Sequence, residues 1–122
     1  MKGSYKIIMA HLGEYIEYKT ELNNLYSQKR WVKADTTKID VKIEALETKV
    51  NLIQDIILEE KDPLKQQILE LKYIQNKTWL QIEEITNYST PHLIRLRTSS
   101  IRSFYNKGFL SRIENTIGCL GQ

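Results

Sequence analysis

The chain has 122 residues, of which 41% are hydrophobic and 27% charged, a composition typical of one small folded protein and not of a disordered chain. No stretch approaches the roughly 20 apolar residues that span a bilayer, and the apolar patch near the start is too interrupted for a secretory signal. The single cysteine, Cys119, excludes an internal disulfide and suits a reducing compartment, so we expect a cytoplasmic protein that has no membrane partner.

Positive charge is concentrated in the C-terminal half. The formal net charge is +3, yet residues 1–61 carry ten basic and ten acidic side chains, whereas residues 62–122 carry eight and five. No carboxylate occurs between Ile85 and Ile113, a stretch that contains Arg95, Arg97, Arg102, Lys107 and Arg112. A stretch of one charge sign inside an otherwise neutral protein indicates a polyanionic partner.

Apolar residues at heptad spacing run through the N-terminal half, where glycine and proline are almost absent. Two series alternate at intervals of three and four residues, which places them on one side of a helix. The first series comprises Tyr18, Leu25, Val32, Ile39, Leu46 and Ile53, and the second comprises Tyr15, Leu22, Lys29, Thr36, Ile43, Val50 and Ile57. The two polar members of the second series interrupt this apolar stripe near its middle.

Two architectures fit the stripe. In a helical hairpin, the chain turns at residues 34–37, where poor helix formers cluster and where Thr37 with Asp40 caps the second helix. In the alternative, one coiled-coil-like helix of roughly 48 residues extends for about 70 Å. The cluster of poor helix formers slightly favours the hairpin.

The stripe requires a covering surface, which is either the rest of the chain or a second copy. Burial in an intramolecular core and a homodimer seam fit the pattern about equally, and we expect a homodimer. Its interface would comprise Ile39, Ile43, Leu46, Val50, Ile53 and Ile57. Trp31 lies off the stripe, and as a large aromatic residue it is a candidate anchor for a partner.

Three further helices are predicted after residue 61. Asp62 is a good N-cap for the first, which has proline at its first helical position and runs to about Ile74. Thr78 and Gln81 form a capping-box pattern that begins the second helix. Asn87 tolerates left-handed backbone and ends that helix in a tight turn.

Ser89 is a favoured N-cap for the third helix, which Gly108 ends. A short helix, a three-residue turn and a basic helix form the pattern of a helix-turn-helix, whose second helix enters the major groove of double-stranded DNA. We expect Arg95 to contact bases, other cations to anchor phosphates, and the helix N-terminus to hold a phosphate. The DNA-binding candidates are Ser89, Thr90, His92, Arg95, Arg97, Thr98, Arg102 and Lys107.

The same region resembles the fourth conserved region of bacterial sigma factors. More closely, it is similar to the RinA- and ArpU-like late-gene activators, small phage and prophage regulators that carry such a module at the C-terminus. The resemblance covers about residues 62–105 and is carried by Leu71–Ile74, Thr78, Trp79, Ile82, Tyr88, Ser89 and His92–Leu96. It implies binding to promoter DNA in a bacterial host cell, together with contact to RNA polymerase or another regulatory protein.

The chain departs from the pattern of that family at three positions. Glu83 stands where a small residue usually lets the two helices approach closely. Asn87 stands where glycine is common, and Pro91 lies on the turn of the helix that would face the groove.

The sequence contains no motif typical of an enzyme. The two histidines and one cysteine lack metal-ligand spacing, and the adjacent pairs Glu59–Glu60 and Glu83–Glu84 diverge on a helix. Neither a glycine-rich phosphate loop nor a nucleophile motif occurs. We therefore expect a protein that is not an enzyme and has neither a cofactor nor a metal.

The sequence thus predicts an all-α protein with three regions. Residues 1–61 form the hairpin or long helix, residues 62–107 form the helix-turn-helix domain, and residues 108–122 form a docked short helix or a frayed tail. The predicted function is a DNA-binding transcriptional regulator of phage or mobile-element genes. The alternatives are a DNA-packaging adaptor of the small-terminase kind, or a protein-interaction module (an inhibitor or antirepressor) that keeps the fold.

Overall fold

Residues 2–120 fold into seven α-helices and contain no strand, which confirms the predicted all-α class. The computed structural model describes the backbone of these residues and the side chains of residues 5–115; Met1, Gly121 and Gln122 lie outside it. The helices are α1 (Lys2–Gly13), α2 (Tyr15–Trp31), α3 (Thr37–Leu58), α4 (Pro63–Leu69), α5 (Trp79–Thr86), α6 (Thr90–Asn106) and α7 (Phe109–Leu120). A single π-helical turn over Glu70–Ile74 continues α4. No helix within this range is both long and apolar enough to cross a membrane.

Helices α2 and α3 form the hairpin, one of the two predicted architectures. The chain reverses between Trp31 and Thr37. The predicted cap, formed by Thr37 with Asp40, is wrong in detail. Asp35 Oδ1 accepts the Thr37 backbone N–H at 2.9 Å, and it is the Thr36 hydroxyl that donates to Asp40, at 2.9 Å. Asp40 also pairs across the hairpin with Lys29 at 2.7 Å, so the polar interruption of the stripe marks the turn.

The apolar stripe is covered within the chain. Leu22 and Leu25 of α2 pack against Ile43 and Leu46 of α3, with Ile39 half-buried at the edge. Further along α3, the side chains that enter the main core include Val50, Ile53 and Ile57. The predicted homodimer seam through these residues is therefore wrong, because the short turn folds α2 back onto its own continuation and buries the stripe. Trp31 is 82% exposed at the end of α2, and its role as a partner anchor stays a prediction.

Helix α1 was not separated from the rest of residues 1–61 by the sequence pattern. It buries Ile8 and Leu12 against α6 and α7, and the ring of Tyr5 meets that of Tyr105 edge to face at 5.3 Å. Its short apolar face carries too few turns to stand out as a period in the sequence, and the side chains that cover it come from the other end of the chain.

The capping signals at Asp62, at Thr78 with Gln81 and at Gly108 are confirmed. Asp62 Oδ1 accepts the Leu64 N–H at 2.9 Å, which begins α4. Thr78 and Gln81 form the reciprocal capping box at 3.2 and 2.9 Å. Gly108, at φ +81°, follows the end of α6 as expected.

The main core spans the predicted boundary at residue 61. Its buried residues come from all helices except α5, and α7 docks on it through Phe109 and Ile113, as the docked-helix alternative predicted. The side chain of Ile117, further along α7, lies outside the described side chains. A second, smaller core joins α4, α5 and α6 through Ile68, Ile82 and Leu93. Helix α6 therefore contributes to both cores.

Glu60, in the loop before α4, forms hydrogen bonds that link this loop to the middle of α6. Its carboxylate accepts the hydroxyl of the fully buried Ser100 at 2.6 Å and the N–H of Asp62 at 3.0 Å. Its backbone carbonyl accepts the Gln66 side chain at 3.1 Å. A buried hydroxyl without a hydrogen-bond partner is unfavourable, so separating Ser100 from Glu60 would destabilise the fold. This contact therefore holds the two halves of the chain in one relative position.

His11 is 3% exposed in the body of the protein, and neither ring nitrogen has a hydrogen-bond partner among the described residues. Burial lowers its pKa below the ordinary 6.5, Glu14 opposes that effect, and Lys49 adds to it. Because the folded state disfavours the protonated form, this contribution to stability is present above about pH 6.5 and is lost as the pH falls.

We predict that the free energy of unfolding falls more steeply between pH 7.5 and pH 5.5 in the wild type than in His11→Leu. Urea titrations followed by circular dichroism at both pH values measure the difference. The same pH dependence in both proteins would contradict the burial of a neutral His11.

Candidate nucleic-acid interface

Helices α5 and α6 are joined by a three-residue turn at residues 87–89, the arrangement predicted for a helix-turn-helix. Asn87 has left-handed backbone angles (φ 63°, ψ 24°), as its place in the turn requires. Ile82 of α5 and Leu93 of α6 are both fully buried in the small core and hold the two helices together.

Glu83 caps the beginning of α6. Ser89 has the extended backbone of an N-cap, but its side chain makes no capping hydrogen bond. Instead, Oε2 of Glu83 accepts the backbone N–H and the hydroxyl of Thr90, each at 2.5 Å. These hydrogen bonds lower the pKa of Glu83, so their stabilisation is present above about pH 4.5 and is lost as the pH falls below it.

This carboxylate changes the expected role of the helix terminus. The Thr90 N–H is occupied, Pro91 has no N–H, and a negative charge stands where a phosphate was expected. The Glu83 carboxylate therefore opposes the predicted phosphate site at the N-terminus of α6 near Ser89, and it engages the hydroxyl of Thr90, which was predicted to contact DNA. The departure from the family pattern at Glu83 has a structural explanation, because a small residue there would leave Thr90 uncapped.

Arg95 and Arg102 lie on the exposed side of α6, opposite its buried residues. With Ile94, Thr98 and Ser99 they line a shallow groove along the helix. Within the described side chains, the one ion pair closer than 4 Å joins Lys29 to Asp40, so neither arginine is neutralised by a carboxylate. Lys107, at the C-cap of α6, is also exposed.

Two lysines extend this basic surface beyond α6. Lys65 of α4 donates to the Ser99 hydroxyl at 3.0 Å, and Lys6 of α1 lines a depression next to Thr98. Sequence reasoning missed both, because their neighbours along the chain carry no basic cluster. They reach this surface only through the packing of α1 and α4 on α6.

Arg97 does not join the exposed arginines. It lies four residues after Leu93 and four before Ile101, both buried, so helical spacing turns it toward the protein. Its guanidinium carbon lies 5.3 Å from the centre of the Trp79 ring, and its Nε is buried. Arg97, which was predicted to anchor a phosphate, therefore does not share the exposed side of α6 with Arg95 and Arg102, because its place on the apolar side of the helix outweighs its charge.

Thr98 and His92 are less available than expected. The Thr98 hydroxyl donates to the Ile94 carbonyl at 2.9 Å, and the residue is half-buried beside α1. The half-buried His92 ring lies 5.0 Å from that of Tyr88. Both residues lie near the exposed arginines, but each is itself half-buried.

We predict that Glu83→Ala lowers the urea midpoint of unfolding and accelerates hydrogen exchange at the Thr90 amide, because both donors lose their acceptor. Glu84→Ala is the matched control, since it removes the same side chain from the next, exposed position of α5. Equal midpoints and exchange rates for the two variants would contradict the capping role.

No family model, curated protein or solved structure matches this chain. The resemblance to the fourth region of sigma factors therefore rests on the sequence motif alone and stays a prediction.

Proposed function

We propose that this protein binds double-stranded DNA by placing α6 in the major groove, and that it regulates transcription of phage or mobile-element genes. The observation that carries the proposal is the exposure of Arg95 and Arg102 on one side of α6 with no carboxylate neutralising them. Seven residues, or about 10 Å of helix, separate them, and the major groove, about 12 Å wide, admits such a helix.

Charge supports a polyanionic ligand. Three further cations, Lys6, Lys65 and Lys107, lie on or beside α6. The two carboxylates that contact this helix are both engaged in hydrogen bonds, Glu83 with Thr90 and Glu60 with Ser100. Unpaired cations that share one surface release counterions from a nucleic acid when they bind its phosphates. The regulatory part of the proposal rests on the resemblance of residues 62–105.

The two arginines are assigned different roles. Arg95 lies in the first half of α6, the part of a recognition helix that contacts base edges, and a guanidinium can bind guanine O6 and N7 together. Arg102 and Lys107 lie further along the helix, where side chains anchor phosphates without sequence preference.

We predict that Arg95→Ala weakens binding to a specific site by about 1–3 kcal/mol and flattens discrimination between sequences. Arg102→Ala weakens binding to all duplexes alike and reduces the log–log salt slope by about 0.9. Anisotropy of a labelled duplex, titrated at several salt concentrations, measures both effects.

Lys42→Ala serves as the control for these variants, because Lys42 is also exposed but lies on α3 in the hairpin. A loss from Lys42→Ala equal to those from the arginine variants would contradict the assigned surface. Equal weakening on all sequences by Arg95→Ala would make it a phosphate anchor, and no binding at low salt would contradict DNA binding altogether.

A protein contact at the hairpin tip is the second candidate function. Trp31 is 82% exposed there and is followed by the exposed Val32, so an apolar surface with one large aromatic ring lies at the end of α2. Exposed aromatic residues are frequent anchors of protein interfaces. We propose that the tip joins two copies of the chain, or binds a regulatory protein when no dimer forms.

We predict that the wild type sediments as a dimer of about 29 kDa, twice the 14.4 kDa chain, and that Trp31→Ala sediments as a monomer. Analytical ultracentrifugation at several concentrations measures both masses. A wild-type monomer, or a dimer that survives Trp31→Ala, would contradict self-association through the tip. An assembly of eight or more subunits would favour a packaging adaptor.

A further inference from the structure

A second basic cluster surrounds Trp79 on another side of the helix-turn-helix. Trp79 is the first residue of α5, and its ring centre lies 4.7 Å from Lys72 Nζ and 5.3 Å from the Arg97 guanidinium carbon. The two cations come from the π-helical turn and from α6, so three separate elements meet at one indole.

The positive charge in this cluster is uncompensated. Neither Lys72 nor Arg97 has a carboxylate within 4 Å among the described side chains. Burial lowers the pKa of Lys72, and the charge of Arg97 lowers it further, so the two like charges interact. The Nε of Arg97 is buried and has no acceptor in the described part of the chain.

The indole alone accounts for only part of this arrangement. A cation over an aromatic ring gains a modest attraction, but a second cation on the same ring adds repulsion. An anion bound between the two side chains would relieve that repulsion.

A phosphate group is the anion that fits. The planar guanidinium donates to two phosphate oxygens at once, and an ammonium donates to a third. The positive end of the α5 dipole lies at the same place, because Trp79 is the first residue of that helix. In a helix-turn-helix, the first helix crosses the DNA backbone while the second enters the groove.

We propose that Lys72, Arg97 and the Trp79 ring form a phosphate-binding site, and that its ligand is a backbone phosphate at the edge of the groove that α6 enters. The nature of the phosphate rests on the proposed DNA binding, whereas the site itself rests on the geometry around Trp79. The proposal gives Arg97 a contact with the DNA backbone from a surface separate from that of Arg95.

The chain contains two tryptophans, so Trp31→Phe leaves Trp79 as the sole fluorescent indole. In this background, Trp79 emission is recorded while a mixed-sequence duplex carrying an anisotropy label is added at low salt. Inorganic phosphate and pyrophosphate are titrated separately. Lys72→Gln and Arg97→Gln test the site, and Lys61→Gln, at an exposed position in the loop before α4, is the matched control.

The expected result is a saturable change in Trp79 emission that follows the anisotropy of the duplex. Lys72→Gln abolishes the emission change, weakens duplex binding several-fold and lowers the salt slope by about 0.9, while Lys61→Gln changes neither. Since Arg97 is half-buried, circular dichroism first establishes whether Arg97→Gln is folded. If Arg97→Gln is unfolded, the test relies on Lys72→Gln alone.

The remaining outcomes separate this site from the proposed function. Duplex binding without any change in Trp79 emission, unaffected by Lys72→Gln, overturns the site and leaves DNA binding through Arg95 and Arg102. Saturable binding of phosphate or pyrophosphate without duplex binding supports the site and overturns DNA as the source of the phosphate. No response to any of the three ligands overturns both.

Discussion

The burial of α6 on one side is the constraint on which the rest of the structure depends. Leu93 lies in the small core with α4 and α5, whereas Ile101 and Phe104 lie in the main core with the other helices. A helix anchored in two cores cannot rotate about its axis without exposing apolar surface at both ends. Arg95 and Arg102 are exposed because the opposite side of the same helix is fully enclosed.

Electrostatics divides this surface into distinct parts. The Glu83 carboxylate occupies the positive end of α6 and stabilises its start, so binding of an anion falls to side chains and not to the helix terminus. Arg95 and Arg102 lie on the exposed side, while Lys72 and Arg97 flank Trp79. Two separate groups of unpaired cations suit an extended polyanion better than a small ligand.

The sequence predicted the caps and turns, which depend on neighbouring residues, and missed the contacts that depend on packing between distant parts of the chain. Thr78 with Gln81 and the left-handed Asn87 act over a few residues, so their effect follows from the sequence alone. The heptad stripe does not indicate which surface covers it. The five-residue turn between α2 and α3 folds the two helices together, so the stripe is covered within the chain. Arg97 was counted among the DNA-binding cations because of its charge, although its spacing from two buried residues turns it away from Arg95 and Arg102.

The central claim is that the exposed side of α6 is the surface that meets DNA. Nuclear magnetic resonance of the ¹⁵N-labelled protein tests it directly, because arginine Nε–Hε signals report on each guanidinium during addition of a duplex at low salt. The account predicts that the Arg95 and Arg102 signals shift with saturation while that of Arg30, in the hairpin, stays in place. Shifts confined to Arg30 and the neighbouring hairpin amides would contradict it.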